Sequence, residues 1–149
     1  MEAIILIGLQ ASGKSTFCRQ RLFDTHVRIN LDMLRTRHRE MLLIAACHDA
    51  KQAYVVDNTN PTREDRVRTI QGAKAAGFRV VGYYFASKLE DCTTRNSQRS
   101  PQQVIPLKGL LGTYGRLQLP EWEEGFDELY YVSIGDTGEF VVSEWANEV

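Results

Sequence analysis

The most constraining feature of this 149-residue chain is a glycine-rich segment directly after an apolar one. Residues 3–7 form a short apolar run typical of a strand buried on both faces of a parallel sheet. Residues 8–15 match G-x-x-x-x-G-K-[ST] at each fixed position, and residues 14–23 are compatible with a helix. In this strand-loop-helix setting the backbone wraps around a phosphate, and the helix N-terminus adds positive charge. The segment therefore predicts a phosphate-binding loop for a nucleoside triphosphate.

Residue types within this loop predict individual roles. Lys14 can reach the β- and γ-phosphates, the Ser15 hydroxyl can ligate magnesium, and Thr16 can meet the α-phosphate. The remaining phosphate-cradling positions are Gly8, Gln10, Ala11, Ser12 and Gly13. The alternative is a glycine turn that carries an unrelated lysine.

Further apolar runs alternate with segments compatible with helices, at residues 27–30, 54–56, 79–85 and 129–132. One helix is predicted to begin with Asn60 as its cap and Pro61 in its first turn, and to end before Gly77. Such alternation predicts a mainly parallel sheet with right-handed crossovers. With 43% hydrophobic and 25% charged residues, we expect one α/β domain over residues 1–149.

Charge is distributed unevenly along the chain. All 18 Lys and Arg residues lie within residues 1–118, whereas residues 119–149 contain no base and 9 acids. Either this acidic segment packs beside the basic part and neutralises it, or the basic part offers a surface to an anionic ligand.

The cysteines and the N-terminus indicate the compartment. Three cysteines in no C-x-x-C pair favour reduced packing residues over disulfides or a zinc site: Cys18, Cys47 and Cys92. The first residues lack the basic region of a signal peptide, and no apolar stretch approaches 18 residues. We therefore expect a soluble cytoplasmic protein that does not act at a membrane.

Asp32 follows the second predicted strand directly, at the sheet edge where open α/β sheets bind their ligands. Its carboxylate could take the proton of an attacking hydroxyl group. Arg35 would lie on the same face of a helix that starts near Leu31, where it could hold an anionic group of the acceptor. The alternative is that Asp32 caps that helix and Arg35 is solvated.

The third predicted strand ends in Asp57, a position suited to a carboxylate that holds magnesium or its water shell. The polar residues that follow, through Thr62, could equally serve only as a turn and a helix cap. Arg63 and Arg66 could flank an anionic acceptor or serve only as soluble surface residues.

Arg95 and Arg99 lie four residues apart on a predicted helix over residues 89–99, so we expect them to share a face. Such a pair can close over a triphosphate and stabilise the charge of the transition state. The alternative is an exposed basic stripe. The three histidines, His26, His38 and His48, show no partner in the sequence, and we assign them no role.

Taken together, these motifs resemble those of the P-loop polynucleotide 5′-hydroxyl kinases, the kinase half of polynucleotide kinase-phosphatase proteins and of bacterial RNA-repair enzymes. Five segments within residues 3–132 follow one another in the order typical of the family. They are the phosphate loop, Asp32-x-x-Arg35, the turn at 57–62, Arg95-Asn96-x-x-Arg99 and the segment at 120–126. The resemblance implies transfer of the γ-phosphate of ATP to a 5′-hydroxyl end of DNA or RNA. It also implies the P-loop kinase fold, with five strands in the order 2-3-1-4-5 and a helical lid.

Residue roles are implied by the same resemblance. Asp32 would be the general base, and Arg35 would contact the phosphate next to the accepting nucleoside. Lys14 and Ser15 would bind phosphates and magnesium, and Asp57 would hold magnesium through its water shell. The lid arginines would be Arg95 and Arg99, and residues 120–126 would border the adenine.

Two other functions stay open. The acidic segment offers no basic track for a long nucleic acid, and a kinase of a small hydroxylated metabolite uses the same base and lid. That acceptor would be a sugar, an antibiotic or a nucleotide sugar. An ATP-dependent switch without an acceptor would need neither a base nor lid arginines.

Overall fold

The structure, a computed structural model that describes residues 1–146, contains one six-stranded sheet. Its strands are β1 (Glu2–Ile7), β2 (Val27–Ile29), β3 (Tyr54–Val56), β4 (Arg79–Phe85), β5 (Glu128–Ile134) and β6 (Phe140–Glu144). They lie in the order β2-β3-β1-β4-β5-β6, and β6 pairs antiparallel with β5 while the other pairs are parallel. The predicted order of the first five strands is confirmed, and the antiparallel sixth strand is an addition to it.

Six helices connect these strands: α1 (Lys14–Arg21), α2 (Leu31–Leu34), α3 (Arg37–Ala50), α4 (Arg63–Ala75), α5 (Leu89–Ser97) and α6 (Leu107–Arg116). A short 3₁₀ helix follows at Trp122–Glu124. Within the described residues, no helix combines the length and apolarity that crossing a bilayer requires.

Apolar side chains cover both faces of the sheet. On one face Phe17 and Cys18 of α1 pack against β1 and β4, and on the other Cys47 of α3 and Ile70 of α4 pack against β1 and β3. All three cysteines are buried and unpaired, which confirms that they are packing residues. Burial raises the pKa of the Cys18 thiol to about 12, so it is not a ready nucleophile.

Helix α4 begins two residues later than the sequence predicts. Its N-cap is Thr62, whose hydroxyl accepts a hydrogen bond from the Asp65 amide and forms a capping box with that residue. Asn60, the predicted cap, has a positive φ of 44° and donates its side-chain amide to the Leu6 carbonyl at 2.8 Å. The prediction was wrong because this side chain ties the turn after β3 to the end of β1.

The acidic segment packs against the basic part of the chain, as the first of the two alternatives predicted. Four ion pairs connect it to α4 and β4: Arg63–Glu121, Arg66–Glu124, Lys74–Asp127 and Arg79–Glu128. The prediction that Arg66 is either solvated or beside an acceptor was wrong, because this side chain is fully buried on Glu124. Residues 147–149 of the acidic segment lie outside the described residues.

Two histidines have partners that the sequence did not reveal. His48 shares a hydrogen bond of 2.8 Å with the Tyr54 hydroxyl, and His26 lies 3.1 Å from a Glu2 carboxylate oxygen. The His48 ring also packs against the rings of Tyr54 and Phe78, and His26 lies in the segment between α1 and β2.

Candidate active site

Polar side chains converge at the carboxyl ends of β1, β2 and β3, where a cleft of about 300 Å³ opens. Parallel strands place their carboxyl ends along one edge of the sheet, so residues far apart in the chain meet there. The cleft is lined by six residues that the sequence had singled out: Gln10, Lys14, Ser15, Asp32, Asp57 and Arg99. It therefore joins the predicted phosphate site to the predicted base.

The backbone of the phosphate loop requires glycine at position 13. Gly13 has a left-handed φ of 103°, and a Cβ atom there would lie 3.0 Å from a ring carbon of Phe140 on β6. At the start of the loop, the Gly8 amide donates to the Thr59 carbonyl at 3.0 Å. The loop thus lies between β6 and the turn after β3, and α1 begins directly after it.

The ammonium group of Lys14 lies folded back on the loop. It donates hydrogen bonds to the carbonyl oxygens of Gly8 at 2.9 Å and Leu9 at 2.6 Å, and no carboxylate within residues 1–146 forms an ion pair with it. Burial lowers its pKa from 10.5 to about 8, an effect that the nearby Asp57 charge partly offsets. A bound phosphate would supply the negative charge that this buried cation lacks.

Other loop residues are distributed around this lysine. Gln10 lines the cleft and donates its side-chain amide to the Thr113 hydroxyl at 3.0 Å. Ser12 is buried, and its Oγ lies 3.4 Å from Lys14 Nζ. Thr16 is exposed in the first turn of α1.

Two oxygen donors at the base of the cleft fit magnesium. Ser15 Oγ donates to Asp57 Oδ2 at 2.8 Å, and the Asp57 side chain is almost fully buried. Magnesium prefers oxygen ligands and takes most of its coordination from phosphates and water. Between residues 1 and 146 there is no cluster of three or more His, Cys, Asp or Glu side chains that could hold a metal.

Arg28 of β2 joins this pair, although no motif indicated it. Its Nε donates to the same Asp57 oxygen at 2.7 Å, and its Nη2 lies 3.3 Å from Ser15 Oγ. The one sequence signal was a charged residue between the apolar Val27 and Ile29 of a short strand.

Asp32 is free to act on a ligand. The N-cap of α2 is Asn30, whose side-chain oxygen accepts from the Met33 amide at 3.0 Å and whose amide donates to the Asp57 carbonyl at 2.6 Å. Asp32 is thus not the cap, which removes that alternative. Its carboxylate is exposed, lines the cleft, and has no hydrogen-bond partner in the described part of the chain.

The structure does not bring Arg35 to the cleft. Helix α2 ends at Leu34, and Arg35 has a φ of 76° that turns the chain, so it does not continue the helical face of Asp32. Arg37 lines the cleft instead, with its guanidinium 2.9 Å from the buried Glu40 carboxylate. The shared-face prediction was wrong because α2 has only four residues.

The two lid arginines also separate. Helix α5 ends at Ser97, so Arg99 lies beyond it, and the prediction of a shared helical face was wrong. Arg95 donates to the Ala11 carbonyl of the phosphate loop at 3.4 Å, whereas Arg99 lines the cleft. Arg99 is therefore the one that faces the open space between the loop and Asp32.

The Asn96 side chain closes the loop formed by residues 97–104. Asn96 donates to the Ile105 carbonyl at 2.7 Å and accepts from the Ile105 amide at 3.0 Å, so it clamps both ends of residues 97–104. Both Arg99 and Ile105 line the cleft. Asn96, which stands in the motif Arg95-Asn96-x-x-Arg99, thus positions the loop that carries Arg99.

Residues 120–126, expected beside the adenine, form polar contacts with α4. Glu124 forms a bidentate pair with Arg66, and Glu121 pairs with Arg63. No residue of this segment lines the cleft.

Comparisons with known proteins show the family to which the chain belongs. A family model described as an AAA domain matches residues 4–108. A bifunctional polynucleotide phosphatase/kinase of Schizosaccharomyces pombe is 29% identical over 129 residues, which cover 84% of this chain and 32% of that protein. The chain therefore spans about a third of the length of this curated relative.

Two solved structures share the fold. Chaetomium thermophilum Kti12 in complex with ADP-AlF3 is 17% identical with a TM-score of 0.69, covering 91% of this chain and 92% of that one. A gluconokinase from Sinorhizobium meliloti is 18% identical with a TM-score of 0.63, and the match covers 91% of this chain and 83% of the gluconokinase. At these identities the likeness establishes the fold alone.

Proposed function

The chain belongs to the AAA-domain family of P-loop proteins and has the fold of P-loop kinases, and we propose that it transfers the γ-phosphate of ATP to the 5′-hydroxyl end of DNA or RNA. The observation that carries the proposal is the cleft itself, which Lys14, Ser15 and Asp57 line together with the exposed carboxylate of Asp32. A phosphate site and a free base around one space are what an in-line transfer needs.

On the donor side, Lys14 would exchange its two backbone carbonyl partners for oxygens of the β- and γ-phosphates. The amides of the loop and the N-terminus of α1 would add further positive potential. Ser15 and Asp57 would hold magnesium, which when bound neutralises charge on the β- and γ-phosphates.

On the acceptor side, Asp32 would take the proton of the attacking hydroxyl group. The resulting oxygen forms a bond to the γ-phosphorus while the bond from that phosphorus to the bridging oxygen breaks. ADP leaves with the electron pair, and Asp32 later releases the proton to solvent. Arg99 would stabilise the charge that develops on the transferred group.

Support for a polynucleotide end comes from the relative named as a polynucleotide phosphatase/kinase and from the cations of the cleft. Arg37 and Arg116 line it and could pair with a phosphate of the acceptor. A kinase that grips only a terminal nucleotide makes one or two phosphate contacts, and these need few cations. A long basic track is therefore unnecessary.

The test offers labelled ATP and magnesium with a 5′-hydroxyl DNA oligonucleotide, its RNA counterpart, a nucleoside 3′-monophosphate and a panel of sugars. We expect transfer to the first three. The same oligonucleotides carrying a 5′-phosphate are the control, because they lack the accepting hydroxyl group. Turnover of a sugar while every 5′-hydroxyl end is inert would contradict the proposal.

A small hydroxylated metabolite is the second candidate acceptor. The cleft also includes Thr59, whose hydroxyl suits a molecule with several hydroxyls, whereas the side chains of Asn58 and Asp65 there are hydrogen-bonded to Leu31, Glu40 and Thr62. In the same assay this function predicts transfer to a sugar, an antibiotic or a nucleotide sugar. ATP binding with no transfer to any acceptor would instead indicate a switch.

A further inference from the structure

A cation already lies on the two oxygen donors suited to magnesium. Arg28 Nε donates to Asp57 Oδ2 at 2.7 Å, and Ser15 Oγ donates to the same oxygen at 2.8 Å. Arg28 Nη2 in turn donates to Ser15 Oγ at 3.3 Å. The three side chains form a closed cluster, in which the guanidinium balances the charge of a carboxylate that is 1% exposed.

Magnesium and this guanidinium would compete for the same atoms. Asp57 Oδ2 already accepts two hydrogen bonds, and Ser15 Oγ has one lone pair directed to Arg28. Two cations within bonding distance of one carboxylate repel each other, and the repulsion is strong where burial excludes water. A metal ion on Ser15 and Asp57 therefore requires the guanidinium to move.

The fold provides space for that movement. A cavity of about 380 Å³ lies between α1 and β2, and both Ser15 and Arg28 line it. Strand β2 is at the edge of the sheet and pairs only with β3 among the described strands. The Arg28 side chain is 39% exposed, so its guanidinium can be rehydrated when it leaves the cluster.

We infer that Arg28 is an internal counter-cation, which holds Ser15 and Asp57 together in the empty protein and is displaced when magnesium and nucleotide bind. It is a positioning residue, because it acts through Asp57 and touches no reacting atom. The inference rests on the proposed function in one respect, the binding of ATP with magnesium, and does not depend on the acceptor. It follows that Arg28 raises the magnesium concentration at which nucleotide binds tightly.

The test measures binding of a fluorescent ATP analogue without any acceptor, as a function of magnesium concentration. In Arg28→Met, the magnesium concentration that gives half of the binding signal should fall about tenfold, because a charge-assisted hydrogen bond no longer has to be broken. Arg19→Met is the matched control: Arg19 lines the same cavity, is exposed, and its side chain forms no hydrogen bond or ion pair with Ser15 or Asp57. Its magnesium requirement should equal that of the unmodified protein.

Two more variants separate charge from folding. Arg28→Gln keeps a hydrogen-bond donor near Asp57 without the charge, so it should fold and also bind at lower magnesium. Arg28→Lys keeps the charge and should stay close to the unmodified protein. As a readout independent of nucleotide, magnesium alone should raise the melting temperature of Arg28→Gln more than that of the unmodified protein.

An unchanged or higher magnesium requirement in both Arg28→Met and Arg28→Gln would overturn the inference, since Arg28 would then be an aid to metal binding. That outcome leaves the proposed function intact. Failure of the unmodified protein to bind the nucleotide with magnesium would instead overturn the proposed function, and this inference with it.

Discussion

Arg66 connects three parts of the fold through one buried guanidinium. Its Nε and Nη2 donate to the Glu124 carboxylate at 2.8 and 3.0 Å, and its Nη1 donates to the carbonyls of Asn60 at 2.9 Å and Gln118 at 3.1 Å. Helix α4, the turn after β3 and the acidic segment all meet there. Arg66→Met removes these bonds while keeping most of the apolar stem.

The expected loss of stability follows from burial. The Arg66 side chain is 0% exposed and that of Glu124 is 9% exposed, so the variant leaves a carboxylate without its cation and two carbonyls without donors. Removing one partner of a buried pair costs about 3–5 kcal/mol. For a domain of this size about 1 kcal/mol corresponds to roughly 2–4 °C, so we expect the melting temperature to fall by about 6–20 °C.

Urea unfolding and thermal melts measure this loss directly. Arg68→Met is the matched control, because Arg68 is on the same helix, is exposed, and only approaches the Met41 sulfur at 3.8 Å. It should change the free energy of unfolding by less than about 0.5 kcal/mol. Combining Arg66→Met with Glu124→Gln should cost less than the two separate changes together, because the pair is shared. An Arg66→Met variant within about 1 kcal/mol of the unmodified protein would refute this account of the pair.

Three further predictions concern the phosphate loop and the lid. The pKa of Lys14 is about 8 in the folded protein and 10.5 in the unfolded chain, so the unfolded chain binds the extra proton between these two pH values. The free energy of unfolding should therefore rise from pH 8 to pH 10.5 by up to about 3 kcal/mol, compared with Lys14→Met. Urea melts at pH 7.5 and 10 test this, and equal pH dependence in the two proteins would contradict it. Gly13→Ala should abolish ATP binding in a calorimetric titration, since its φ is 103° and the new Cβ meets a neighbouring ring at 3.0 Å. Gly77→Ala is the control, because Gly77 has a φ of 81° and open space around it. It should have a similar backbone strain of about 1–2 kcal/mol and bind ATP normally. Equal ATP binding by the two variants would refute the packing argument. Asn96→Ala frees the loop from Ile105 and should lower the transfer rate at saturating ATP about tenfold or more with little change in ATP affinity, whereas an unchanged rate would show that the clamp is dispensable.

The parallel part of the sheet could be predicted because each buried strand is a short apolar run followed by a helix-compatible segment. Strand β6 could not, because residues 140–144 form a half-exposed edge strand whose apolar pattern is weak. Its indication was the turn between Gly135 and Gly138, which allows the chain to fold back on β5.

Within the site, residues of the phosphate loop could be predicted because the chemistry fixes their spacing along the chain. Asp32 and Asp57 were predictable for a related reason, since each follows the end of a parallel strand. Arg35 was misplaced because the length of α2 depends on where the chain turns, which no local spacing encodes. Arg28 and Arg66 act through partners at least 29 residues away, Asp57 and Glu124, so their roles emerge only from the fold.

The central claim is that the Asp32 carboxylate faces the phosphate site with room for an alcohol between them. Asp32→Asn keeps the shape of the side chain and removes its basicity, so single-turnover transfer to a 5′-hydroxyl oligonucleotide tests the claim most directly. We expect the transfer rate to fall about 10²–10⁴-fold while the dissociation constant for ATP with magnesium changes little. Asp24→Asn, which alters an exposed carboxylate outside the cleft, should leave both unchanged. Transfer by Asp32→Asn at the rate of the unmodified protein would contradict the claim.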